Sequence, residues 1–397
     1  MQVGWDWAKD AHDVTVTDER GHRLAHWTPR HLECEIASTM QRLAEFAEPG
    51  DLPVAIETRT GLVVDRLLAA GHPVVPVHPN AFHALRPRWG ASRAKSDAGD
   101  SYKLAEFLRT NIDADESTLR VLSPTLPATV HLRRLCRTRG CQFTARLVAA
   151  DQLRALLEHH WPGPAQLFDR VDSPIALAFV QRYPTPRSAA RVTPAVMTRF
   201  LQRQGYSGKK DPAELVARLR RAPRPAGTLP DELLVGLVSA YVTQLRTALA
   251  VLRDVEHLIA TQVAAHPYAR LFATMPRIGT LNLAQIVAEV GPILERADNA
   301  EQVCAEAGVA PVTYASGRKH TVAFRVSANR HARQALTVFA DNTRHADAWA
   351  ARIYAAARDR GHRHPHAIRI LARGWVRIIW QCWNTTTEYD PGRHLAA

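Results

Sequence analysis

Cysteine is scarce and scattered. Cys34, Cys136, Cys141, Cys304 and Cys382 are odd in number and include no CxxC pair. That pattern argues against a disulfide framework or a thiolate zinc site and fits reduced thiols. Lysine is scarce too: only Lys9, Lys95, Lys103, Lys209, Lys210 and Lys319 among 51 basic residues. Coding bias in a GC-rich genome accounts for arginine over lysine, but not for the excess of base over acid. No apolar run has the length expected of a bilayer-spanning helix, and the N-terminus carries no signal-peptide pattern. The expected location is therefore cytoplasmic, with no membrane partner. Internal repeats and low-complexity segments are missing as well.

What is there is a chain of 397 residues, 46% hydrophobic and 22% charged, long enough for two or three domains with real cores. Its net charge of +13 and pI near 10.0 favour a polyanionic partner. The planar arginine fork binds phosphate bidentately and stacks on bases.

Residues 2–28 read as a three-stranded meander with a turn at Asp18-Glu19-Arg20-Gly21. Helical spacing follows over 32–48, then a buried-type strand over 52–58 ending near Glu57. A helix over 61–70, a strand over 73–78, a short helix over 79–85, a basic loop over 86–94 and a helix over 97–109 complete the first part. Three antiparallel strands followed by alternating helices and strands is the order of an RNase H-like (RuvC-like) domain, α/β in class. In that order the first and fourth strands are neighbours, which brings Asp6 and Glu57 together. A carboxylate within the apolar run Val3-Gly4-Trp5-Asp6-Trp7-Ala8 is costly unless a metal or partner offsets it.

Asp97 and Asp100 follow Ser96 at the start of a helix and share one face. Acids in a first helical turn after an N-cap serine have an ordinary explanation, since they complement the helix dipole. Convergence with Asp6 and Glu57 would instead make an oxygen-only site for Mg²⁺ or Mn²⁺.

Two long helical patterns, 132–157 and 233–264, flank a proline-broken insert over 161–231 and suggest a coiled-coil-like hairpin carrying a cap. Beyond them, Met275-Pro276-Arg277-Ile278-Gly279 opens a helix expected to run to Val290 and stop at Gly291-Pro292, as in a helix-hairpin-helix-like element. A loop then carries Ser316-Gly317-Arg318-Lys319-His320, and helices are expected over 329–357 and 366–383. A Ser-Gly pair is ordinary turn chemistry. Here Arg318, Lys319 and His320 could bind phosphate and orient the hydroxyl, or simply touch a nucleic-acid backbone. His362, His364 and His366 lack the spacing and the companion ligands of a metal site.

Four stretches together resemble a known family. VGWDWAKDAHDVTVTDERG resembles its opening strand, VAIETRTGLVVDRLLAAGHPVVPVHP its Glu-bearing strand and crossover, AKSDAGDSYKLAEFL its Asp-x-x-Asp helix, and AGVAPVTYASGRKH its serine-bearing segment. The chain is similar to the DEDD-type transposases of the "one-ten" insertion-sequence family, bridge-RNA-guided recombinases. The resemblance implies three regions: a RuvC-like metal domain over 1–116, a helical coiled-coil-like region over 117–265 and a mainly helical transposase domain over 266–397. It implies that Asp6, Glu57, Asp97 and Asp100 hold divalent metal and that Ser316 is a nucleophile forming a transient covalent link to DNA. Arg93, Lys95, Arg318, Lys319 and His320 would touch nucleic acid. The implied partners are donor and target DNA, a structured noncoding guide RNA, and further copies of the chain, from dimer to tetramer, on the bacterial nucleoid. The competing expectations are a metal-only RuvC-like nuclease, in which Ser316 is a turn residue, and an inactive nucleic-acid-binding relative. Three departures stand out: Ser96 for threonine, Ser101 for alanine, and Arg277 where a Pro-Gly-Ile-Gly turn has glycine.

Overall fold

The computed structural model describes residues 1–85, 97–112, 119–225, 229–316 and 319–394. Arg93, Lys95, Ser96 and Arg318 lie outside them, as do the side chains of Asp97, Ser316, Lys319 and His320. The chain divides into two compact units, Met1–Pro124 and Thr125–Ala397.

The first unit is built on strands β1 (Gln2–Asp6), β2 (Asp13–Thr17), β3 (Arg23–Trp27), β4 (Val54–Ile56) and β5 (Val74–Pro76). Their order in the sheet is β3-β2-β1-β4-β5, with the first three antiparallel and β1, β4 and β5 parallel. Helices α1 (Glu33–Ala44), α2 (Leu62–Ala69), α3 (Pro79–Leu85) and α4 (Asp97–Asn111) cover it. Alternation along the strands sends Val3, Trp5, Val54 and Ile56 into one core with Leu43, Val63 and Leu67. Ala55, Val75 and Val77 go into a second core with Phe82, Leu104 and Leu108. This is the mixed five-stranded sheet expected of an RNase H-like domain.

The second unit opens with α5 (Pro127–His160), followed by the short helices α6 (Pro162–Ala165), α7 (Pro174–Arg182), α8 (Pro186–Ala189), α9 (Pro194–Arg203) and α10 (Pro212–Arg221). The long α11 (Asp231–Ala264) returns against α5. Proline at N1 starts each of the five short helices, and Ser173, Thr185, Thr193 and Asp211 cap four of them. By length and hydropathy alone α11 could cross a membrane, contrary to the sequence expectation. Its buried positions Leu234, Val238, Val242, Leu245, Leu252, Val255 and Ile259 recur at three- and four-residue spacing. That seam packs in the protein core, whereas Leu233, Val235, Leu237 and Leu258 of the same helix are exposed.

The remaining helices are α12 (Thr280–Gln285), α13 (Gly291–Leu294), α14 (Ala300–Glu306), α15 (Arg330–Thr343), α16 (Ala348–Asp359) and α17 (His364–Thr385). Their core includes Leu132 and Cys136 of α5 and Val255, Ile259 and Val263 of α11. Three expectations need correction here. Gly291-Pro292 does not end its helix: a π-turn over Ile286–Val290 leads straight into α13, and Pro292 sits in the first turn of α13, where no backbone N–H is needed. The 329–357 helix is two helices, because Asp347 caps a new one by accepting from the Ala350 N–H. The loop around Ser316 is a ribbon of β6 (Pro311–Ser316) and β7 (Lys319–Phe324), whose alternating Val312, Tyr314, Val322 and Phe324 suit strands.

Candidate active site

The register of the parallel pair sets two carboxylates side by side. Gly4 lies opposite Ala55 and Trp5 opposite Ile56, so Asp6 and Glu57 come next on neighbouring strands at the same end of the sheet. Alternation points both to the face of Gly4 and Ala55, the face that α4 covers.

α4 reaches that face through a glycine. A Cβ on Gly4 would sit 1.9 Å from the Ser101 carbonyl oxygen and 2.6 Å from the Ala105 nitrogen, so helix backbone rests directly on strand backbone. Ser101 and Thr15, the residue paired with Gly4 across β2, share a buried hydroxyl–hydroxyl hydrogen bond of 2.8 Å. This explains a serine where the family has alanine.

The direction of α4 follows from its far end. Arg109 donates to the Glu19 carbonyl and the Glu106 carboxylate lies against Gly21, both in the turn beyond Thr17, which pairs with Gln2. The C-terminal half of α4 therefore lies toward the Gln2 end of β1, and its N-terminal turn toward the Asp6 and Glu57 end. Asp100 is 2% exposed, next to Ser101, with Oδ1 accepting from Lys103 Nζ at 3.1 Å. Asp97 opens the same helix. Even so, no three His, Cys, Asp or Glu side chains among the described residues lie close enough to form a ready-made ion cage. The donors gathered at this end are all oxygens, the set that suits a hard divalent cation.

The loop leaving Asp6 is braced by a pair of histidines. His12 Nδ1 accepts from the Ala8 N–H, which leaves its Nε2 to donate to His31 Nδ1 at 2.9 Å. His12 is fully buried, with its ring 5.7 Å from that of Trp5, and burial, with the nearby His31, lowers its pKa to about 4. It is a neutral strut. Asp13, the β2 partner of Asp6, accepts from His26 Nε2 at 2.8 Å and from Thr28. Sequence reasoning missed Gly4, Thr15 and His12 as positioning residues. The Gly4 within an otherwise β-prone strand was the available signal.

In the second unit Ser316 and Lys319 are the last paired residues of the β6–β7 ribbon. The ribbon exposes Tyr314, Val322 and Phe324, and the Arg369 guanidinium lies 3.5 Å from the Phe324 ring centroid. Burial pushes the thiols of Cys136 and Cys304 up to about 12, so neither is a nucleophile. His364 bonds the Tyr354 hydroxyl, while His362 and His366 face each other with ring centroids 4.2 Å apart.

Residues 3–162 match a family model of the IS110 DEDD type, described as a transposase, and residues 269–355 match the model of the IS116/IS110/IS902 transposase family. The chain is 30% identical to the "Mini-circle putative transposase for IS117" of Streptomyces coelicolor, over 99% of this chain and 96% of that one. It is 25% identical to the IS900 uncharacterized 42 kDa protein of Mycobacterium paratuberculosis, over 100% and 98% of the two chains. It is 24% identical to the IS110 uncharacterized 43.6 kDa protein of Streptomyces coelicolor, over 77% and 75%. Carboxylates ending two adjacent parallel strands beneath an Asp-x-x-Asp helix, matched in order with a second transposase domain, place this chain in the IS110 family of transposases, enzymes that cleave and transfer DNA strands.

Proposed function

We propose that Asp6, Glu57, Asp97 and Asp100 form the DEDD site and that Ser316 is the nucleophile of a recombinase guided by a noncoding RNA. The observation that carries the first half is the shared end and shared face of Asp6, Glu57 and the N-terminal turn of α4. A divalent ion such as Mg²⁺ or Mn²⁺ held by these carboxylates would offset charge on the scissile phosphate and its leaving oxygen. Asp100, buried and bonded to Lys103, gives the set a fixed member. In the second half, the Ser316 oxygen bonds the scissile phosphorus as the bond to the DNA leaving oxygen breaks, and the serine proton ends on that oxygen, giving a protein–DNA phosphodiester and a free DNA hydroxyl. Lys319, His320, Arg318, Arg93 and Lys95 would contact the strand backbone. Base pairing with the RNA would choose the donor and target sites, and the protein would read backbone and shape, by analogy with other guided systems. We assign residues 1–116 to the metal domain, 117–265 to the helical region and 266–397 to the serine domain, acting in a dimer or tetramer.

Quenching a reaction on element-end DNA in denaturant tests the serine. A covalent adduct present with the wild type and lost in Ser316→Ala is the expected result. Free cut ends without an adduct would favour a metal-only nuclease.

A further inference from the structure

We propose that the helical insert between α5 and α11 carries a binding site of its own: an arginine-lined pocket for the phosphodiester backbone of a nucleic-acid strand. This inference rests on the reading that the protein works on nucleic acid, and it adds a site built from residues other than the four carboxylates and Ser316.

The pocket is a cavity of about 570 Å³ at the meeting of α7, α9 and α11. Arg182 ends α7, Arg199 and Arg203 lie one turn apart on α9, and Arg246 comes from α11. All four are exposed, and Tyr183 and Phe200 lie between them. Arg182 Nε donates to the Tyr183 hydroxyl at 3.1 Å, which leaves the rest of that guanidinium facing outward.

Charge accounting separates this pocket from an ordinary solvated face. Residues 161–231 carry twelve basic residues and five acidic ones. Each acid is engaged elsewhere. Asp169 pairs with Lys210, Asp172 with Arg146 and Arg170, and Glu214 with Arg218. Asp231 faces Arg187, and Asp211 caps α10. Among the described residues, none of the four pocket guanidiniums is paired with a carboxylate. Arg182 and Arg203 also complement the C-terminal dipoles of their helices, a sufficient reason for those two alone. Arg199 and Arg246 have no such role, and four like charges around one cavity repel until an anion enters.

The arrangement suits a phosphate flanked by a sugar or base. Guanidinium forks bind phosphate oxygens bidentately, and an aromatic ring offers a stacking surface. A second cavity of about 360 Å³ in the same insert is lined by Arg220 and Arg224 among others. Two arginine-lined cavities in one insert suit the repeated phosphates of a strand better than a single small anion.

The test uses the full-length protein, wild type against the triple variant Arg199→Gln, Arg203→Gln, Arg246→Gln, with Arg246→Glu as a second variant. Fluorescence anisotropy with labelled single-stranded RNA, hairpin RNA and duplex DNA is read across roughly 50–300 mM salt, where each lost phosphate contact lowers the log–log slope by about 0.7–0.9. We expect the triple variant to bind at least tenfold more weakly at moderate salt, with a slope shallower by about 2. The strand type that shows the loss identifies the ligand. Photo-crosslinking with thio-substituted strands should label the segment 174–204 in the wild type and not in the variant. Unchanged affinity and slope on every strand overturn the proposal, as do adducts only outside the insert. Asp6→Asn separates the two readings: it should abolish strand cleavage and leave these binding curves unchanged. Cleavage that persists in Asp6→Asn sinks the carboxylate assignment without touching the pocket.

Discussion

Gly4→Ala is the sharpest perturbation of the first unit. The new methyl would meet backbone atoms, the Ser101 carbonyl oxygen at 1.9 Å and the Ala105 nitrogen at 2.6 Å, so no side-chain rotation relieves it. Recovering an ordinary contact of 3.4 Å requires α4 to lift by about 1.5 Å. That movement breaks the buried Thr15–Ser101 hydrogen bond, now 2.8 Å long, and carries Asp100 away from Asp6 and Glu57. Overpacking costs about 1–3 kcal/mol and breaking the buried hydroxyl pair about 1–3 kcal/mol, so a loss of about 2–6 kcal/mol is expected. On the proposed assignment of Asp100 to the metal site, a shift of this size lowers rate by about a hundredfold. Urea denaturation measures the first effect and single-turnover cleavage of element-end DNA the second. Ser101→Ala is the control: it removes the hydroxyl but not the helix backbone, so it should cost about 1–3 kcal/mol and retain cleavage. A Gly4→Ala protein with wild-type stability and cleavage would refute the direct seating of α4 on β1.

Other consequences follow from single residues. Arg277 holds φ at 57°, in the left-handed region, at the position where the family turn has glycine; Arg277→Gly should raise stability by about 1 kcal/mol, read as a higher melting temperature. Glu289 is 3% exposed inside the π-turn and accepts two bonds from Arg137, at 2.9 and 3.0 Å. Arg137→Ala strands that carboxylate and should cost about 3 kcal/mol in urea melts, whereas a change below about 0.5 kcal/mol would show that water replaces the arginine. His12 adds a pH dependence. Its folded pKa, about 4, lies below the unfolded value of 6.5, so the unfolded chain binds the proton first. Its contribution is intact above about pH 6.5 and falls away toward pH 4, by up to about 3 kcal/mol. Melts of His12→Gln at pH 7 and pH 5 should show a smaller acid loss than those of the wild type.

Periodicity alone delivered much of the architecture. Strand alternation in the first thirty residues and the buried run around Val54–Ile56 locate the strands, and the RNase H-like order of elements sets the first beside the fourth. That order makes neighbours of Asp6 and Glu57. These features are legible because each depends on residues a few positions apart. The ribbon carrying Ser316 was not, since its strands are short and pair mainly with each other, and the local cue of Ser-Gly reads equally as a loop.

Tertiary structure decided the rest. Composition could not say that α11 spends its apolar seam inside the protein, because burial depends on the helix lying against it. Nor could the spacing of Asp97 and Asp100 show which way their helix runs across the sheet. Contacts of Glu106 and Arg109 with the Glu19–Gly21 turn settle that direction, and a missing Cβ at Gly4 sets the approach. The residue types at the site were written in the sequence, but their common end and common face come from strand register and from backbone contact between distant segments. No local pattern encodes contacts of that kind.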